Sequence, residues 1–308
     1  MNAKNPSKLR NGIALSLIPQ VLVVLWLGSR PDLVETYYSK GIYVAISQFF
    51  RILYGWIPFS FGELVYVVLV LLAIRYIYRN WRKIRGRPWR FLRDVLLVLS
   101  VFYFTFNVVW AINYYRKPIA EQFAIRDSIR PEEVLDLTER LIVQTNRLQL
   151  EITGDSTEMV RVPYDDGTIF AKTIENYHRL EKQFPFMAYD HPSLKKSNSG
   201  ALMGYLGIGG YLNPFTNEAQ VNGLTPAFRL PVVTAHEIGH QIGYSKENET
   251  NFIGYFVTMK NPDIYFRYSA SAFALSYCLS AVRRSDEALF ERLFGALHMG
   301  VQKNYQEL

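Results

Sequence analysis

Three long apolar segments in the first 112 residues constrain the fold of this chain more than any other feature. They cover about residues 12–28, 59–78 and 95–112, and the second contains the unbroken apolar run 64–74. A helix needs ~20 mainly apolar residues to cross about 30 Å of hydrocarbon. Each segment therefore predicts a transmembrane helix, and together they predict a multi-pass membrane domain over residues 1–114.

Two alternatives apply to these segments. Basic residues precede the first segment, as they do in a cleaved signal peptide. The sequence Gly28-Ser29-Arg30-Pro31 that follows it is a poor cleavage site, which favours a retained anchor. The second and third segments could instead form a buried hairpin in a soluble core, but the strongly basic connection between them argues against that interpretation.

The cationic residues are concentrated in the apolar half of the chain. Residues 1–94 contain 14 Lys and Arg against 4 Asp and Glu, whereas residues 95–308 contain 20 against 23. The connection between the second and third segments carries Arg79, Arg82, Lys83, Arg85, Arg87 and Arg90. By the positive-inside rule, this connection and the N-terminus are cytoplasmic, so residues 30–58 and everything after the third segment are extracytoplasmic. The basic excess is thus a topology signal and predicts no nucleic-acid partner.

Residues 115–308 are predicted to form a mainly helical α+β domain with a small sheet, outside the cytoplasm. The patterns predict helices over 131–148, 168–183, 247–260, 264–282 and 285–305, and a short strand over 158–163. Residues 201–222 combine Gly-rich turns with short strand patterns. They predict either a plain surface hairpin or a sheet edge that receives an extended peptide.

The run His236-Glu237-Ile238-Gly239-His240 is the motif that indicates chemistry. On a helix, His236 and His240 share one face and can bind the same metal ion. Glu237 lies beside the first histidine and can act as a general base on water. The chain has a single cysteine, so a cysteine-based metal site is excluded. The motif is typical of a catalytic zinc site.

Catalytic zinc usually has three protein ligands, so the motif predicts one more. Lys246 stands where the metzincin pattern has a third histidine, and a protonated lysine is a poor ligand. Glu247 and Glu249 are the remaining candidates. We favour Glu247, because Glu247 and Asn251 resemble the gluzincin Glu-x-x-x-Asp arrangement, in which the acidic residue one helical turn after the ligand orients a ligand histidine. Glu249 stays open as the alternative.

The chain resembles the domain-of-unknown-function family 3810, an uncharacterised family of bacterial membrane proteins that itself resembles the gluzincin peptidases. The resemblance rests on residues 113–116, 214–218 and above all 236–252, of which the last block is the specific one. Gluzincins have a Glu-x-x-x-Asp pattern after the motif, and Glu247 and Asn251 stand in these positions, with Asn in place of Asp. The resemblance implies the three spans, a zincin-like fold and an acidic third ligand, but no substrate.

These features predict a membrane-anchored zinc metallopeptidase of the bacterial cytoplasmic membrane. His236, His240 and Glu247 are expected to bind Zn²⁺, and Glu237 is expected to act as general base on a zinc-activated water that hydrolyses a peptide bond. The expected partners are a peptide or protein substrate outside the cytoplasm and the lipid bilayer. The alternative is a non-catalytic sensor or assembly factor of the cell envelope with a structural or vestigial zinc site.

Overall fold

The computed structural model describes residues 6–126 and 128–308, which are mainly helical with a small sheet, as predicted. These residues form two compact units. The first comprises the residues up to Lys117 together with Asn213–Glu218, and the second comprises Pro118–Leu212 and Ala219–Leu308. The sequence predicts a boundary between residues 114 and 115 and assigns 213–218 to the outer domain. The structure assigns that short segment to the first unit instead.

Helices make up most of the first unit. In chain order they are α1 (Pro6–Leu15), α2 (Leu17–Gly28), α3 (Pro31–Leu33), a π-helical segment (Val34–Ile42), α4 (Tyr43–Tyr54), α5 (Phe61–Gly86), α6 (Pro88–Val109) and a 3₁₀ helix (Ala111–Tyr115).

Among the described residues, three helical stretches are long and apolar enough to cross a membrane: Ser7–Gly28, Phe61–Gly86 and Pro88–Val109. In the most apolar 18 residues of each stretch, only 11%, 11% and 17% of the residues, respectively, are buried within the protein. Apolar surface of this extent needs a lipid environment. The stretches correspond to the three predicted segments and indicate a membrane protein.

The basic connection between the second and third segments is helical almost throughout. Helix α5 continues through the cationic residues to Gly86, and α6 begins at Pro88, so only Arg87 separates them. Lys and Arg are good helix formers, and a proline in the first helical turn loses no hydrogen bond. On this side, both helices therefore extend beyond the predicted limits at residues 78 and 95.

A buried ion pair stabilises the first unit. The Nε of Arg116 donates to Oε2 of Glu35 and its Nη2 donates to Oε1, both at 2.9 Å. Burial raises the pKa of the Glu35 carboxyl, but the hydrogen bonds and charges of Arg116 and Lys40 outweigh that effect and hold the pKa below its usual range. This bidentate geometry requires the planar guanidinium group of an arginine.

The segment Asn213–Glu218 caps the N-terminus of α5. The buried carboxylate of Glu218 accepts hydrogen bonds from the backbone N–H groups of Phe61 (3.1 Å) and Gly62 (2.7 Å). The Oγ of Ser60 accepts from the N–H of Glu63 at 3.2 Å. The first N–H groups of a helix have no partner within the helix, and a negative charge is favoured at that end. Glu218 and Ser60 therefore accept hydrogen bonds from the first N–H groups of α5.

The second unit consists of helices around a small sheet. Its helices are α7 (Ile119–Gln122), α8 (Pro131–Thr153), α9 (Asp166–Leu180), a 3₁₀ turn (Pro185–Met187), α10 (Gly200–Tyr205), α11 (Leu230–Gln241), α12 (Glu247–Met259), α13 (Ile264–Ser285), α14 (Glu287–Gly295) and α15 (Met299–Tyr305). The strands are β1 (Leu194–Lys196), β2 (Gly210–Asn213) and β3 (Glu218–Val221), and they lie in the order β1-β3-β2 in the described sheet. β1 runs parallel to β3, with Lys195 opposite Gln220.

The two larger apolar cores among the described residues hold much of this unit together. One lies between α8, α13, α14 and α15 and includes Leu141, Leu275 and Val301. The other lies between α9, α11 and α12 and includes Tyr177, Ile238 and Ile253. The second core fixes the motif helix α11 against its neighbours.

Two sequence predictions for this unit are wrong. Residues 158–163 form no strand, because the side-chain amide of Asn304 takes the place of a neighbouring strand. The N–H of Val160 donates to Oδ1 of Asn304 (3.0 Å), and Nδ2 of Asn304 donates to the carbonyl of Val160 (3.1 Å). The helix predicted over 285–305 is interrupted before α15, where the N–H of His298 donates to Asn146 instead of continuing a helix.

Arg116→Lys is expected to lower the free energy of unfolding by about 2 kcal/mol, because lysine cannot make both charge-assisted bonds to the buried Glu35. Arg126→Lys is the matched control, since the Arg126–Glu133 pair is exposed and its loss is expected to leave the free energy of unfolding almost unchanged. Thermal unfolding of the detergent-solubilised protein measures both. Equal stability of the two variants would contradict the assigned role of the buried pair.

Candidate metal centre

The motif lies on α11, which is buried on almost every side. Of its residues, only Val233 and His236 are not fully buried, so its one open face runs along these positions. Pro231 lies in the first turn, as predicted. Neighbouring elements hold the helix through polar bonds: Tyr177 Oη donates to the carbonyl of Ala235 (2.7 Å), and Nε2 of Gln241 donates to the carbonyl of Ser193 (3.0 Å).

The end of α11 fixes the orientation of His240. Gly243 has a φ of +94°, and two backbone bonds close the helix there: the N–H of Gly243 donates to the carbonyl of His240, and the N–H of Tyr244 donates to that of Gly239. This is a Schellman ending, which needs glycine at the left-handed position. It brings the carbonyl of Tyr244 to 2.8 Å from Nδ1 of His240. A carbonyl only accepts, so Nδ1 carries the proton and Nε2 of a neutral His240 presents its lone pair.

Helix α12 packs very closely against α11. A Cβ on Gly254 would lie 3.1 Å from the carbonyl oxygen of Val232 and 3.2 Å from Cβ of His236. A Cβ on Gly239 of α11 would lie 3.2 Å from the side chain of Thr250. These distances are shorter than most contacts of a Cβ atom, so glycine at both positions favours this close approach of the helices.

This packing brings the first residue of α12 to the two histidines. Oε2 of Glu247 lies 3.3 Å from Nε2 of His236, and its Oε1 lies 3.5 Å from Nε2 of His240. The side chains of His236 and His240 are 13% and 7% exposed, whereas that of Glu247 is 75% exposed. The cluster is therefore anchored in the protein on the histidine side and open on the glutamate side.

The donor set and its spacing fit a zinc ion. Two imidazoles and a carboxylate are common catalytic zinc ligands, and ligand atoms about 2.0–2.1 Å from a tetrahedral Zn²⁺ lie about 3.3–3.4 Å from one another. Each histidine lies close to this spacing from a different oxygen of Glu247, His236 from Oε2 (3.3 Å) and His240 from Oε1 (3.5 Å). One ligand atom from each of the three residues lies within 4.8 Å of the others. Among the described residues, this is the one group of His, Cys, Asp and Glu that could hold a metal ion.

Glu249 and Asn251, the other two predicted site residues, have different partners. Glu249 is buried, and its Oε1 accepts from the backbone N–H of Ile119 at 3.2 Å. Nδ2 of Asn251 donates to Oη of Tyr277 at 3.0 Å. The structure thus brings Glu247 to the histidines, and the carbonyl of Tyr244 makes the orienting bond that the sequence assigns to Asn251.

Glu237 is buried beside the cluster. Its side chain is buried, and its Oε2 has no hydrogen-bond partner among the described residues. A Cβ on Gly210 of β2 would overlap the Glu237 carboxylate, so the strand passes directly against it. Burial raises the pKa of the Glu237 carboxyl, an effect that the imidazoles of His236 and His240 oppose. A carboxyl group with a raised pKa can exchange protons near neutral pH.

His240 and Glu247 shift each other's pKa, and His236 adds to the effect on Glu247. Hydrogen bonds from His236 and His240 hold the pKa of the Glu247 carboxyl far below its usual range. Burial lowers the pKa of His240, but its hydrogen bond to Glu247 and the charges of Glu237 and Glu247 outweigh that effect and raise the pKa overall. Before a cation binds, the site therefore carries an ionised carboxylate at its open side.

Several residues that build the site are missing from the sequence-based prediction. They are Gly239 and Gly254, which allow the close helix packing, Gly210, which contacts Glu237, and Tyr244, which contributes its carbonyl. A signal existed for two of them, because glycine inside a helical pattern needs a packing reason. The contribution of Tyr244 is a backbone interaction that its side chain does not encode.

Comparison with known proteins identifies a family but no function. A family model described as "Protein of unknown function (DUF3810)" matches residues 38–308, a range that includes the whole candidate metal centre. No curated protein and no solved structure matches the chain. The functional argument therefore rests on the site itself.

Gly243→Ala is expected to weaken Zn²⁺ binding at least about tenfold, because a Cβ is strained at positive φ and the Tyr244 carbonyl would shift away from His240. Competition with a chromophoric chelator measures the affinity. Gly154→Ala is the matched control: this residue ends α8 with a φ of +72°, so the substitution adds similar strain away from the cluster. Wild-type affinity in the Gly243 variant would show that this helix end does not position the ligand.

Proposed function

We propose that this chain, which belongs to the DUF3810 family of proteins of unknown function, is a membrane-anchored zinc-dependent peptidase. One observation carries the proposal. His236, His240 and Glu247 converge with the spacing of zinc ligands, and a buried carboxylate, Glu237, follows the first ligand directly in sequence. This combination of a ligand triad and an adjacent general base is what metal-dependent hydrolysis requires.

The proposed metal ligands are the two imidazole Nε2 atoms and the carboxylate of Glu247. When bound, Zn²⁺ would lower the pKa of water and stabilise negative charge that develops on a substrate carbonyl. The Tyr244 carbonyl keeps His240 in the tautomer that presents Nε2. The exposure of Glu247 leaves one side of the site accessible to substrate.

Glu237 is the proposed general base and acid. Its Oε2, which lacks a partner among the described residues, can accept a proton from the water that attacks the substrate carbonyl. The burial of this carboxyl disfavours its charged form, which favours keeping the proton until the C–N bond breaks. The proton then passes to the leaving nitrogen, which departs as a neutral amine.

The position of β2 supports a peptide as the substrate. β2 lies at the edge of the described sheet, and its first residue, Gly210, contacts Glu237. An extended peptide can add to a sheet as a further edge strand, and a peptide added beside β2 would run past the general base. Residues 201–222 contain this strand, so the sheet-edge interpretation of that segment is the one we propose.

The distribution of charge supports an extracytoplasmic site. The cationic residues follow α5 to its C-terminal end and continue into the start of α6, and Lys8 and Arg10 lie near the start of the first apolar stretch. Helix ends rich in Lys and Arg stay on the cytoplasmic side of a bacterial inner membrane. With three spans, everything after α6 would then lie outside the cytoplasm.

Glu237→Gln is expected to lower peptide cleavage at least about 100-fold while about one Zn²⁺ per chain is retained, because the amide cannot carry the proton. The assay incubates the zinc-loaded, detergent-purified full chain with a peptide library and identifies new termini by mass spectrometry. A fully active variant would exclude Glu237 as the base. A wild-type protein that binds no Zn²⁺ after loading would exclude the proposal and favour a metal-free envelope factor.

Two matched substitutions control for the metal in that experiment. Glu247→Gln is expected to lose Zn²⁺, because an amide is a weak zinc ligand. Glu249→Gln is expected to keep it, since an amide oxygen can still accept the bond from the N–H of Ile119. The opposite result would make Glu249 the third ligand.

Fusions to the C-terminus test the proposed topology. Alkaline phosphatase becomes active only outside the cytoplasm. We therefore expect alkaline phosphatase fused after residue 308 to be active. A fluorescent protein that folds only in the cytoplasm, fused at the same position, should give no fluorescence. The reverse pattern would place the candidate metal centre in the cytoplasm, and it would contradict the proposed location without affecting the proposed chemistry.

A further inference from the structure

The first unit contains two cavities where its three apolar stretches meet at their basic ends. One has a volume of about 560 Å³ and is lined by polar and cationic residues of α1, α5 and α6. The other has a volume of about 570 Å³ and is lined mainly by aliphatic and aromatic residues of the same three helices. Both volumes are in the range of small-ligand pockets, about 300–1,000 Å³.

The first cavity, here called the basic cavity, has a large excess of positive charge. Its cationic lining residues are Arg10, Arg82, Lys83, Arg87, Arg90 and Arg93. The one acidic residue described in its lining, Asp94, is engaged by Arg93, whose Nη2 lies 2.6 Å from its Oδ1. Among the described residues, no carboxylate lies within ion-pair distance of Arg10, Arg87 or Arg90. The cavity therefore presents three arginines that form no ion pair with a described carboxylate, while its one described acidic residue is paired with Arg93.

The second cavity, here called the apolar cavity, adjoins the first. Arg10, Tyr76, Phe91 and Asp94 line both of them. From these shared residues, the basic cavity extends along the ends of α5 and α6, and the apolar cavity extends along their membrane-spanning parts past Ala73 and Val98. A ligand that fills both must have an anionic group at one end and a hydrocarbon chain at the other.

We propose that these two cavities together bind one anionic phospholipid. The phosphate group and the anionic headgroup contact the arginines of the basic cavity, and one acyl chain lies in the apolar cavity. Guanidinium groups bind phosphate oxygens with paired hydrogen bonds, and basic pockets between membrane helices suit such headgroups. A free phosphate or a soluble anion would leave the apolar cavity unfilled, whereas the surrounding bilayer supplies both parts in one molecule.

The test measures lipid retained by the detergent-purified full chain, using native mass spectrometry with equal amounts of phosphatidylglycerol and phosphatidylcholine. The wild type is expected to retain phosphatidylglycerol preferentially. The triple variant Arg82→Gln, Arg87→Gln and Arg90→Gln is expected to lose that preference at least about tenfold. The matched control, Arg75→Gln, Arg79→Gln and Arg85→Gln, removes the same charge from α5 outside the basic cavity and is expected to keep it.

A second variant tests the apolar cavity with all charges intact. Ala73→Trp fills it, so retention of phosphatidylglycerol should fall while the basic cavity is unchanged. Millimolar inorganic phosphate should not displace the lipid. Three results would each overturn the proposal. Equal retention of both lipids by the wild type, or equal losses in the two triple variants, would indicate no specific site. Displacement of the lipid by inorganic phosphate would indicate a site for phosphate alone.

Discussion

The close contact between α11 and α12 is the constraint on which the candidate metal centre depends. Glu247 is the first residue of α12, and it reaches both histidines only because Gly239 and Gly254 let the two helices approach to carbon-contact distance. A Cβ at either position would press against the facing helix at 3.1–3.2 Å, so the neighbouring atoms would have to shift. A metal ligand displaced by 1 Å no longer completes a tetrahedral site. Gly239 and Gly254 therefore help to set the positions of His236, His240 and Glu247.

The burial of α11 is the second feature that positions the candidate metal centre. A helix that carries two histidines and a glutamate would normally face water, yet α11 is enclosed almost entirely. Its polar groups are accommodated individually: Gln241 bonds to Tyr189 and Ser193, and His240 bonds to the Tyr244 carbonyl. Glu237 retains a buried oxygen without a partner among the described residues, which is costly in a structural residue and common in a catalytic one.

Two sequence blocks outside the motif serve the first unit. Arg116, from the block 113–116, makes the bidentate pair with Glu35. Glu218, from the block 214–218, caps the start of α5, and Phe215 of the same block packs against the ring of Phe102. Both blocks therefore have a structural explanation that involves no chemistry. The specific functional signal of this chain remains in residues 236–252.

The sequence by itself determined the features that depend on local pattern. Length and apolar content predict the three long helices, and the spacing of His236 and His240 predicts a shared helix face. The tertiary structure decided everything that depends on distant segments meeting. It brought Glu247 rather than Glu249 to the histidines, set Gly210 against Glu237, and used Asn304 in place of a strand at residue 160. Periodicity reports which side of a helix is apolar, but it cannot report how closely two helices pack or which backbone carbonyl a side chain will meet.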